Sequence, residues 1–124
     1  MQDNRTSTRY VKRLRAVLVT EEKGRRTTIK GRTHDVSIDG ASFISEYNIV
    51  SANPVTICLL IDPGDAKHPP AVFEAQGKIV NSVLSSQQGG FRLGIHFIKV
   101  AAECNQMLRK FLAPPSRARP MEMA

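Results

Sequence analysis

Phe91-Arg92-Leu93-Gly94-Ile95-His96-Phe97 alternates so that Phe91, Leu93, Ile95 and Phe97 share one side and Arg92, Gly94 and His96 the other. A period of two is that of a strand with one buried face. Just beyond it the period changes. Val100, Cys104, Met107, Leu108, Phe111 and Leu112 share a face at helical spacing, which predicts a helix over residues 100–112, stopped by Pro114 and Pro115. Working back along the chain, Gln87-Gln88-Gly89-Gly90 reads as a turn and Ala71 to Leu84 as a long strand with a bulge or bend at Gly77. Val55 to Ile61 is an earlier strand between Pro54 and Asp62-Pro63-Gly64-Asp65. Ala41 to Ser45 follows a turn at Ser37 to Gly40, and Leu14 to Glu22 is joined to Arg26 to Val36 by a hairpin turn at Lys23-Gly24-Arg25. Six strands and one closing helix predict an all-β fold, a six-stranded antiparallel β-barrel with a C-terminal α-helix, because closure removes the edges of a small sheet. The helix must lay its apolar stripe on the barrel or on a partner. The expected organisation is a flexible lead-in over residues 1–8, one domain over 9–112 and a disordered tail over 113–124.

A chain of 124 residues holds one core and is too short for two ordinary domains. Its 41% hydrophobic and 23% charged residues are ordinary for a soluble globular protein. No apolar run is long enough to span a bilayer and the start lacks the apolar centre of a signal peptide, so the expected compartment is the cytoplasm. The charge is unevenly placed. Residues 1–32 hold ten Lys or Arg against three acidic groups, whereas residues 33–124 hold eight of each, so the formal charge of +7 comes from the first quarter of the chain. Such focused potential suits a compact anion or a local acidic surface. Cys58 and Cys104 have no second cysteine or histidine at ligand spacing. They read as reduced thiols in the core, with no disulfide framework and no metal site.

Two short segments carry the candidate chemistry. Arg9 and Arg13 stand four positions apart just before the first strand. Their planar forks can pair with O6 and N7 of guanine, stack on a base or hold a phosphate. Asp35, Ser37 and Gly40 combine a carboxylate, a hydroxyl and a turn glycine within six residues. Asp35 can accept from guanine N1–H and N2–H₂, Ser37 can bond phosphate or base, and Gly40 allows close backbone approach. Each segment alone also reads as something plainer, a solvated basic arm and a β-turn. His34 borders Asp35, His96 shares a face with Arg92 and Gly94, and His34, His68 and His96 form no site by spacing. Ser37 has no recognisable base or oxyanion hole, so no catalytic residue is assigned and the protein is not expected to be an enzyme.

Arg9-x-x-x-Arg13 followed by Asp35-x-Ser37-x-x-Gly40 resembles the signature of the PilZ domain family. Gly77-Lys78-Ile79-Val80 looks like the family's fifth-strand segment, and Leu93-Gly94-Ile95-His96-Phe97 like its closing strand, so the resemblance covers roughly residues 9–112. It implies a PilZ-type β-barrel that binds the bacterial second messenger cyclic di-GMP without a cofactor. By resemblance, Arg9, Arg13, Asp35, Ser37 and Gly40 are the ligand-binding residues, with Arg5, His34 and Gly94 as additional candidates. Arg5 to Arg9 also has the spacing of the first motif; the Arg9/Arg13 register is preferred because Leu14 and the first strand follow at once. A mobile Arg9–Arg13 loop would close on the ligand and relay it to an unidentified effector protein, in motility, biofilm or exopolysaccharide control. Two other readings remain: a small basic barrel that binds nucleic acid, and an adaptor of the same fold that acts through protein contacts without ligand.

Overall fold

Alternation is written into the burial of the strands. In Val55–Ile61 the odd positions Val55, Ile57, Leu59 and Ile61 are buried while Thr56, Cys58 and Leu60 are half-buried. The computed structural model describes residues 8–62, 67 and 69–113. It contains β1 (Tyr10–Val11), β2 (Arg15–Glu22), β3 (Arg25–Ser37), β4 (Gly40–Ser45), β5 (Val55–Ile61), β6 (Ala71–Ser85), β7 (Gly90–Val100) and α1 (Ala102–Leu112). Residues 1–7 of the expected lead-in, with Arg5 among them, residues 114–124 of the expected tail, and His68 lie outside the described residues.

The strands are hydrogen-bonded in the order β1-β3-β2-β5-β6-β7-β4, and a further β3–β4 pairing closes the ring. Every pairing is antiparallel. The result is the expected six-stranded barrel, with β1 as an added strand on β3. Lys23 (φ 53) and Gly24 (φ 77) make the two-residue turn between β2 and β3, whose positive dihedrals match the twist of the paired strands. Leu18, Phe43, Ile57, Leu59, Phe73, Leu93 and Ile95 fill the interior at 0–1% exposure. Phe73 and Phe97 meet there as a tilted ring pair, centroids 5.2 Å apart.

The junction between the last strand and the helix differs from expectation by more than a residue. β7 continues to Val100, which pairs with Ala75, so the helix starts at Ala102 instead of residue 100. Continued pairing with β6 holds the apolar Val100 in the strand. The stripe of α1 joins the barrel's own core: Leu108 and Leu112 are buried, and Cys104, Met107 and Phe111 lie against the cluster. Cys58 departs from the core reading. It sits at a half-buried position on the outer face of β5, because its neighbours Ile57 and Leu59 take the inner face. Burial and the facing Glu74 push its thiol pKa up.

Three bulges interrupt the ladders. The β3–β4 register shifts between Thr33 and Asp35, leaving His34 as the extra residue. The β6–β7 register shifts between Gln76 and Gly77, at the position expected, with Ile98 extra on β7. It shifts again between Ile79 and Asn81, leaving Val80 extra on β6. Each extra residue reverses the inside–outside alternation that follows it.

Candidate functional site

Between Val11 and Arg15 the chain detours out of pairing, and Thr33 occupies the gap. Its hydroxyl donates to the Lys12 carbonyl and accepts from Leu14 N–H at 2.9 Å, while Thr33 N–H donates to the Leu14 carbonyl at 2.9 Å. Tyr10 and Val11 pair with Val36 and Asp35. Lys12 Nζ lies 5.1 Å from the centre of the Phe111 ring on α1. Satisfying the backbone groups of the detour ties this segment to β3, and the Lys12 side chain ties it to α1.

This anchoring delivers Arg9 to Asp35. Arg9 NH1 donates to Asp35 Oδ1 at 2.5 Å, with 29% and 16% of the two side chains exposed. Ser42 Oγ donates to the same oxygen at 3.1 Å. Arg9 Nε is buried without a partner. Asp35 faces outward because the His34 bulge has flipped the strand, so that Val36, opposite Ala41, points inward.

Arg9, Asp35, Ser42 and Asp39 form one side of an open pocket of about 670 Å³. Asn81, Val80 and Val83 of β6 and Arg92, Gly94 and His96 of β7 form the other. The register explains the grouping: Asp35 pairs with Ser42, Ser42 with Gly94, and Gly94 with Asn81, one continuous row across four strands.

The expected residues divide accordingly. Arg9, Asp35 and Gly94 line the pocket, and so does His96. Arg13 is exposed and not part of the lining. Ser37 is fully buried and spent on its own turn: its Oγ donates to Asp39 Oδ1 at 2.5 Å and accepts from Asp39 N–H at 3.3 Å. The close approach at Gly40 is to protein. A Cβ there would stand 2.5 Å from the Ile95 carbonyl oxygen, so glycine lets the β3–β4 turn lie against β7. Asp39 O accepts from Phe97 N–H at 2.9 Å and completes that docking. His34 Nδ1 lies 3.3 Å from Gln88 Nε2, outside the pocket.

Ser42, Asp39, Asn81 and Arg92 were missed as site residues. Ser42 was within reach of the sequence, since the tight turn at Ser37–Gly40 sets Asp35 opposite Ser42. Arg92 shares the His96 face by simple alternation. Asn81 carried no such signal, because the Val80 bulge alone turns it outward. Among the described residues, no three His, Cys, Asp or Glu side chains group as metal ligands, and no helix is long and apolar enough to cross a membrane.

Comparison with known proteins bears on this geometry. The family model for the PilZ domain matches residues 3–113. No curated protein matches the chain by sequence. Among solved structures, the inhibitor of motility MotI (DgrA) of Bacillus subtilis is similar at 13% identity and a TM-score of 0.66, over 98% of this chain and 53% of that one. YcgR of Escherichia coli in complex with c-di-GMP is similar at 14% identity and a TM-score of 0.63, over 97% of this chain and 49% of that one. The PilZ domain of YcgR with c-di-GMP gives 16% identity and a TM-score of 0.59, over 98% of both chains. The chain thus spans about half the length of the first two. At these identities the likeness is one of fold.

Proposed function

Because the chain belongs to the PilZ domain family, we propose that it is a receptor for cyclic di-GMP that binds in the Arg9–Asp35 pocket and signals to a protein partner without catalysis. The observation that carries this reading is the meeting of the two motifs. Arg9 and Asp35 are 26 positions apart in sequence and 2.5 Å apart at the edge of an open pocket. Asp35 Oδ1 is occupied by Arg9 and Ser42, while Oδ2 has no partner among the described residues. That oxygen can accept from the N1–H and N2–H₂ edge of guanine. Arg9 belongs to either register of the arginine motif, and its unpaired Nε leaves its present arrangement incomplete. A ligand supplying further acceptors would satisfy it. Arg13 and Arg5 would reach the ligand from the same segment, and Ser37 and Gly40 act by holding the turn that carries Asp35.

The magnitudes suffice. An arginine–guanine contact supplies about 1–3 kcal/mol and a charge-assisted bond to phosphate about 1.5–3 kcal/mol. A net near −8 kcal/mol corresponds to roughly micromolar affinity. The output would run through Lys12 and Phe111, which join the arginine segment to α1, toward a partner in motility, biofilm or exopolysaccharide control. MotI is named as an inhibitor of motility, which favours the first of these.

Titration calorimetry with cyclic di-GMP tests the reading. Saturable binding by the wild type, lost or weakened at least tenfold in Asp35→Ala and Arg9→Ala, is the expected result. An absence of saturable heat in the wild type would refute it. Equal binding by wild type and Arg13→Ala would remove Arg13 from the site and leave the rest standing.

A further inference from the structure

We propose that Arg92 and Asn81, which belong to neither motif, form the phosphate-binding wall of this pocket, while Asp35 takes the base. The inference rests on the cyclic di-GMP reading and assigns the ligand's orientation within it.

The charges of the lining are already partly spent. Arg9 is neutralised by Asp35 at 2.5 Å, and Asp39 Oδ1 accepts from Ser37. The carboxylates of the motif side suit the donor edge of guanine, and the charge of Arg9 is already shared with Asp35. Arg92 is different. It lines the pocket from β7, half-buried, with no hydrogen bond or ion pair among the described residues. A guanidinium so placed is an uncommitted fork for phosphate oxygens.

Asn81 complements it. Its Oδ1 accepts from Gly94 N–H at 3.1 Å, which fixes the amide's orientation and leaves both hydrogens of Nδ2 without a partner among the described residues. A Cβ on residue 94 would stand 2.7 Å from Oδ1 and 2.9 Å from Nδ2, so Gly94 provides the space in which this amide lies. The Val80 bulge turns Asn81 out of the barrel, the use to which bulges beside binding sites are put. Asp35 and Asn81 end a row that spans three strand spacings, roughly 14 Å. Val80 and Val83, both more than half exposed, give an apolar surface beside the donors on which a ribose or ring edge can rest.

The test is calorimetry of the full chain with cyclic di-GMP, for wild type, Arg92→Ala, Arg92→Lys and Asn81→Asp, with thermal unfolding as a check on folding. Arg92→Ala is expected to weaken binding about tenfold or more, with Arg92→Lys in between because the charge remains and the fork is lost. Asn81→Asp keeps an acceptor for Gly94 N–H but replaces the donors with a carboxylate, and is expected to weaken binding at least as much. Raising the salt should weaken the wild type more than Arg92→Ala. If the wild type binds and Asp35→Ala does not, while Arg92→Ala and Asn81→Asp bind like wild type, the phosphate wall is wrong and the receptor reading survives. If the wild type does not bind, both fall. Should one variant fail to fold, the other decides.

Discussion

Thr33 shows how one hydroxyl can position a site it never touches. Fully buried, it satisfies Lys12 and Leu14 across the detour that precedes β2. Thr33→Val keeps the shape and removes both bonds. The expected loss is about 1–3 kcal/mol, since Leu14 N–H is left without its acceptor, and it is read from urea unfolding. Cyclic di-GMP binding should weaken too, because Arg9 hangs from the same segment. Cys58 gives a prediction in pH. Burial and then Glu74 raise its thiol pKa, so less thiolate is present at neutral pH than in an ordinary cysteine. Alkylation by iodoacetamide at pH 8 is expected to be slower than for a model thiol and to accelerate as the pH passes above the ordinary thiol range. Glu74→Gln removes the lesser cause and should speed the reaction. A Cys58 that reacts as fast as a free thiol would show that the shift is absent.

At the scale of elements, regular alternation was legible and its interruptions were not. Residues 91–97 could be assigned to faces one by one, and that placed Arg92, Gly94 and His96 together correctly. The same counting fails past His34 and Val80, because a bulge is set by how neighbouring strands fit and leaves no mark in the periodicity of its own strand. Asp35 and Asn81, which face each other across the pocket, are the residues those bulges reorient. Gly77 was legible as a bulge only because glycine marks it. The helix was legible as an amphipathic stripe, but not the surface it would cover. Leu108 now predicts that answer's strength: it is wholly buried in the barrel's cluster, so Leu108→Ala should cost about 2–5 kcal/mol in chemical unfolding. A loss below about 1 kcal/mol would mean that α1 is not part of the core.

For the whole molecule, closure and charge act together. The ring brings β3 and β4 back against β7, and the basic first quarter of the chain leads into the pocket so formed. Charge alone would also attract nucleic acid, but the aromatics are turned inward. Phe43, Phe73 and Phe97 are buried, and Tyr47 is the exposed aromatic among the described residues. Single-stranded DNA is therefore expected to bind weakly and to be released by moderate salt, whereas cyclic di-GMP should still give a saturable isotherm there. The reverse order of salt tolerance would favour the nucleic-acid reading. The sequence by itself determined the six strands of the barrel, the closing helix, the family resemblance and the location of the charge, but not the added strand β1. Each depends on local periodicity or on residues close together in the chain. Only the tertiary structure decided that Arg9 meets Asp35 while Arg13 is exposed and absent from the pocket's lining, that Ser37 serves its own turn, and that Asn81 and Arg92 face them. These depend on bulges and ring closure, which arise when strands far apart in sequence must share one ladder.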